Sequence, residues 1–118
     1  MKKGIVFPKG RGIPWIVDAP DNFDWDWMKD KIGCDWIEIV HPMRLPEGFV
    51  MIVDEEGLLK ENELNPVGCW FYKTDVHGEP IVGDILILKE EEGDDGIECV
   101  GMTDDEVAEI FSLIGREG

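Results

Sequence analysis

Residues 36–53, Trp36-Ile-Glu-Ile-Val-His-Pro-Met-Arg-Leu-Pro-Glu-Gly-Phe-Val-Met-Ile-Val53, hold the two clearest strand patterns of the chain. Trp36 to Val40 and Phe49 to Val53 are rich in β-branched and aromatic side chains, which fit a pleated, buried surface. The Pro42 to Gly48 connection between them carries two prolines and a glycine and continues neither strand. The two runs are therefore expected to pair as antiparallel neighbours.

Upstream, Lys3 to Phe7 and Ile13 to Val17 are short β-type runs around Pro8-Lys-Gly-Arg-Gly12, which predicts a first hairpin. Asp21 or Asn22 is placed to cap a helix through Trp25 to Ile32 that stops at Gly33. Phe23, Trp27, Met28 and Ile32 lie on or near one face of it, and Trp25 lies off that stripe. Downstream, Asp54-Glu-Glu-Gly57 reads as a tight turn. Asn65-Pro66 supplies a cap and a first helical residue for a short helix over 66–72. Asp75 to Gly78 reads as a further turn. Ile81 to Leu88 is expected to be a strand with a bulge at Gly83, and Glu90 to Gly96 a mobile acidic loop. Thr103 and Glu106 form a capping box, and Val107, Ile110, Phe111 and Ile114 follow at helical spacing before Gly115. Trp15, Trp27, Trp36 and Trp70 fall in apolar runs and are expected in the core. The fold expected is α+β: one small domain over 1–118, a mostly antiparallel sheet, an early helix, a short middle helix and a C-terminal helix.

Taken in order, these segments resemble the domain of unknown function 3846 family over roughly residues 4 to 114. The resemblance is carried by Ile32-Gly-Cys-Asp-Trp-Ile-Glu-Ile-Val40 after a helix, Asp54-Glu-Glu-Gly-Leu-Leu-Lys60, the Leu64-Asn-Pro66 step and the Ile81-Val-Gly-Asp84 run. Cys34 and Asp35 stand where the family has small or glycine residues, and Asp54 stands where Asn is common. The resemblance implies a product of bacteria, phages or mobile elements and brings no activity with it.

Charge narrows the function classes. The chain has 118 residues, 27 Asp and Glu against 11 Lys and Arg, and a formal net charge of −16. Residues 1–17 carry Lys2, Lys3, Lys9 and Arg11 and no acid, so the rest holds all 27 acids. Such a body repels nucleic acid and anionic membrane and attracts a basic protein partner. With 43% hydrophobic residues the chain can still bury a core, unlike a disordered acidic tail. No run has the length of a signal peptide or a membrane span, so the protein is expected in the cytoplasm, with Cys34, Cys69 and Cys99 reduced.

No pattern points to a cofactor, a metal or a catalytic group. The three cysteines with His41 and His77 lack the paired spacing of a zinc site, and no register of residues 90–96 supplies calcium ligands. The acids and apolar neighbours of Cys34 and Cys69 raise rather than lower a thiol pKa, which disfavours a nucleophile. Gly10-Arg-Gly12 lacks the spacing and following helix of a phosphate loop.

Two functional readings follow. The first is a non-enzymatic interaction protein, a mimic of nucleic acid or inhibitor of a basic protein. Residues 90–109 carry ten acids and no base. Alternate strand residues recur at about 6.8 Å and i, i+4 helix neighbours at about 6 Å, comparable with neighbouring phosphates on one strand. The partner-binding candidates are Glu90, Glu91, Glu92, Asp94, Asp95, Asp105 and Glu109, with Trp25 either an exposed anchor or packed on the first hairpin. The bland account of the same acids is solubility and complementing of a helix N-terminus. The second reading is a small-ligand or enzymatic module using Asp54, Glu55, Glu56 and Asn65. A turn and a helix cap explain these residues equally well. Oligomeric state is left open.

Overall fold

The computed structural model describes residues 1–94 and 96–117. Among them, six strands form one sheet: β1 (Lys3–Phe7), β2 (Trp15–Asp18), β3 (Ile37–Val40), β4 (Phe49–Asp54), β5 (Ile85–Gly93) and β6 (Gly96–Val100). Every pairing is antiparallel, in the order β2-β1-β5-β4-β3. β6 shares one edge of β5 with β1: β1 takes Ile85 to Ile87 and β6 takes Lys89 to Gly93. The helices are α1 (Trp25–Ile32), α2 (Pro66–Tyr72), α3 (Thr74–His77) and α4 (Asp104–Glu117). The architecture is the expected α+β one.

Strand alternation builds a core on each face. Ile5, Phe7, Phe49, Met51, Ile85 and Ile87 point to one side, where they pack with Phe71 of α2 and Val107 and Ile110 of α4. Val6, Val50, Ile52, Leu86 and Leu88 point to the other and meet Met28 and Ile32 of α1. This is why β4 and the first half of β5 read as continuous apolar runs: both their faces are covered. At about 1.5–3 kcal/mol for each large side chain fully buried, these two clusters are the main stabilisation of the fold.

The local signals act as their chemistry requires. Asn65 caps α2 through Gly68 N–H at 2.9 Å with Pro66 in the first turn. Thr103 and Glu106 bond reciprocally, Thr103 N–H to Glu106 Oε1 at 2.8 Å and Glu106 N–H to Thr103 Oγ1 at 3.2 Å. The cap of α1 is neither Asp21 nor Asn22 but Asp24, whose Oδ1 accepts Trp27 N–H at 3.0 Å. Asn22 has φ of 57°, a left-handed conformation, whereas a helix cap needs the extended one that Asp24 adopts.

Four further expectations are corrected. The strand expected from Ile81 begins at Ile85, because Gly83 bends the chain at φ of +80° and Val82 makes only an isolated bridge to Leu64. Glu90 to Gly96 is no loop over most of its length. β5 runs on through Glu92 to Gly93 and returns as β6, with Glu90 opposite Cys99, Glu91 opposite Glu98 and Glu92 opposite Ile97. Helix α4 continues past Gly115 to Glu117. Trp15 and Trp36 are 45% and 58% exposed rather than core, since Trp15 lies on the outermost strand and Trp36 just precedes the opposite edge strand. The Trp36 ring is used from outside instead, with Lys29 Nζ 5.3 Å from its centroid.

Candidate functional site

The acidic stretch of the sequence becomes a β-hairpin and the start of a helix. Because side chains alternate along a strand, Glu91 and Glu98 share one face of the β5–β6 hairpin, and Glu90 and Glu92 the other. Glu91 and Glu98 are directly opposed across the strands, both are exposed, and among the described residues neither has a salt-bridge partner. A like-charged pair in that position destabilises a sheet. On the other face Glu90 is held by His41, whose Nε2 is 3.0 Å from both carboxylate oxygens. Asp94 is exposed beside the hairpin end, and Asp95 lies outside the described residues. Asp105 and Glu109 are exposed one turn apart on α4.

Helix α4 is tied to the same strand by its first turn, where Lys89 Nζ of β5 lies 3.1 Å from Glu106 Oε2. Desolvation pushes the Glu106 carboxyl up, but the Thr103 N–H and Lys89 outweigh it and leave it below the usual carboxylate range. Glu106 is thus a structural acid. Apart from Glu90, held by His41, the other acids described on the hairpin and the first turns of α4 are exposed, and the two elements are joined at Lys89. Glu98, a residue that sequence reasoning left out, completes the opposed pair. The pairing of Gly93 with Gly96 fixes the register that sets Glu98 opposite Glu91.

The Asp54–Gly57 turn builds a second, smaller feature. Asp54 has only 5% of its side chain exposed. Its Oδ1 accepts Glu56 N–H at 2.9 Å and its Oδ2 lies 3.0 Å from Lys60 Nζ. Gly57 is required there, since a Cβ would sit 2.6 Å from Val82 Cγ2. Behind the turn is a groove of about 230 Å³ with an apolar floor of Val40, Val53 and Ile81 and a rim of Glu38, Glu55, Glu79 and Tyr72. Tyr72 Oη donates to Glu79 Oε2 at 3.3 Å. Burial, with Glu79 and Glu38 nearby, pushes the Tyr72 hydroxyl up. Glu38 was legible as the one polar residue in the alternation of β3; Tyr72 and Glu79 come from α2 and the segment before β5 and meet only in the fold.

Asn65 takes no part in this groove. It is fully buried, with its Oδ1 on Gly68 N–H and its Nδ2 donating to Phe7 O at 2.9 Å and Gly83 O at 2.8 Å. Its amide is consumed in joining β1, α2 and the Gly83 bend. Glu55 is exposed and Glu56 half-buried beside Trp36 and Leu59, on a second, shallower surface. Trp25 is also exposed, at 54%, and stands on α1.

The Cys34 thiol is pushed up by burial and by Asp54, and Cys99 to about 11 by burial and Glu90, so both are held as poor nucleophiles. Among the described residues no group of three or more His, Cys, Asp or Glu stands together as metal ligands. No helix of the described residues is long and apolar enough to cross a membrane.

The fold and surface define a small α+β protein whose distinguishing property is outward-facing acid on a hairpin and a helix. The chain belongs to the family described as domain of unknown function (DUF3846), whose model matches residues 3–114. Neither the curated proteins nor the solved structures gave a match.

Proposed function

We propose that this chain is a non-enzymatic binding protein that presents the β5–β6 hairpin and the exposed side of α4 to a basic protein, in place of the nucleic acid that partner would otherwise hold. The observation that carries this reading is the opposed pair Glu91 and Glu98. Two glutamates directly opposed across the strands, with no salt-bridge partner among the described residues, cost stability in the free protein, and that cost is relieved when Lys or Arg of a partner arrives beside them. Solubility alone requires dispersed charge, not charge opposed across a hairpin. Glu92, Asp94, Asp105 and Glu109 extend the surface, and Trp25 is available as an aromatic anchor on α1. Inhibition of a DNA-binding protein in the cytoplasm of a bacterial host, on behalf of a phage or mobile element, is the setting that suits such a surface.

The test is capture of partners from a host lysate by the tagged protein at low and high salt, beside a Glu91→Lys, Glu98→Lys double variant. A basic, DNA-binding protein retained by the wild type, released as salt rises and lost in the variant is the expected result. A partner retained equally by the variant rejects this surface.

A second reading rests on the groove bounded by Glu38, Glu55, Glu79 and Tyr72. Its acidic rim and apolar floor suit a small organic cation. A thermal shift with polyamines or other amines that Glu79→Gln abolishes would favour it over the hairpin.

A further inference from the structure

We propose that the chain self-associates through the free edge of β2, two copies pairing antiparallel to make one continuous sheet. β2 is bonded to β1 on one side, and among the described residues no strand pairs with its other side. Natural edges are guarded by lysines, prolines or bulges within the strand, because an unguarded row of N–H and C=O groups is a template for another chain. Trp15-Ile-Val-Asp18 has none of these. Its Asp18 is already tied to Lys3 of β1, and Ile16 is 51% exposed on one face with Trp15 half-exposed on the other. Ile13, just before the strand, is more exposed still.

Charge selects the occupant and the edge. Two copies of net charge −16 repel over most of their surfaces. The β6 edge belongs to the acidic hairpin, and the β3 edge carries Glu38 next to the Asp54–Glu55 turn. β2 alone begins in the segment that holds four bases and no acid. It stands at the opposite end of the sheet from β3, roughly 19 Å away across four strand spacings. Joining two copies at β2 therefore keeps their β3 edges apart, beyond the ~8 Å screening length of physiological salt. A two-fold axis between Ile16 and Val17 sets Trp15 of one copy against Asp18 of the other and Ile16 against Val17. The same register runs the basic end around Arg11 toward Asp21 of the second copy. Each copy thus meets opposite charge at both ends of the new pair, which a basic or neutral foreign strand would not provide.

The test is sedimentation or light scattering of the full chain over a concentration series, for the wild type, Ile16→Lys and Arg11→Glu, with circular dichroism to verify folding. The expected result is a monomer–dimer equilibrium for the wild type that added salt strengthens. Ile16→Lys should weaken it by about tenfold or more, and Arg11→Glu should weaken it without altering the monomer's melting. Arg11 is exposed in a turn, so that variant reports even if Ile16→Lys unfolds. A wild type that stays monomeric throughout overturns the proposal. So does a dimer that both variants leave intact, or one dispersed by Glu38→Lys on β3 instead.

Discussion

Asn65 is a single residue on which three backbone segments depend, and its replacements separate what it does. Asn65→Ala leaves Phe7 O, Gly83 O and Gly68 N–H without their partner in a buried place. We expect a loss of about 2–4 kcal/mol in urea unfolding at pH 7. Asn65→Asp keeps the cap on Gly68 but, when ionised, buries a charge and donates to neither carbonyl. Its destabilisation should be smaller at pH 4 than at pH 7, because the neutral carboxyl regains one donor. Glu106 works with the opposite sign. Its folded carboxyl is held below the unfolded value, so its contribution is complete above the unfolded pKa and disappears as pH falls through the folded one. Wild type should therefore exceed Glu106→Gln in melting temperature at pH 7, with the difference shrinking as pH falls through and below the ordinary carboxylate range. The caps were legible at this scale because they depend on neighbours three residues away. The two donor bonds of Asn65, to residues 58 and 18 positions distant, were not.

At the scale of elements, the β5–β6 hairpin joins stability and binding in one place. Replacing Glu91 by Lys turns an opposed like pair into an opposite one, and we expect it to stabilise the protein by about 0.5–1 kcal/mol. The same change should abolish capture of a basic partner, so melting temperature and retention should move in opposite directions. If Glu91→Lys lowers the melting temperature, the opposed pair is not strained and the observation behind the proposed function fails. The hairpin was hidden in the sequence because glutamates have low strand propensity and solvated runs of acid read as loop. Pairing to Lys89 and the buried half of β5 overrides that preference, since the strand is already in place up to Leu88. The same competition moved the start of the strand from Ile81 to Ile85, where the Gly83 bend yields to the sheet.

For the whole molecule, net charge sets the response to salt. Raising ionic strength from low to physiological should increase the melting temperature, because screening reduces self-repulsion of a body at −16. The same change should weaken binding of a basic partner. A calorimetric melt and a binding titration over one salt series would show the two opposite slopes, and parallel slopes would contradict an electrostatic interface.

The α+β class, the antiparallel β3–β4 and β1–β2 pairs, helices α1, α2 and α4, and family membership were determined by the sequence, because each rests on local periodicity, caps and turn residues or on the order of segments. The tertiary structure alone decided that both faces of the sheet are covered and that Trp15 and Trp36 lie outside. It also decided that Asn65 is a buried junction and that Glu91 meets Glu98. Those outcomes depend on which strands become neighbours and which become edges. That choice is made by packing distant apolar faces together, and no window of the chain contains both partners.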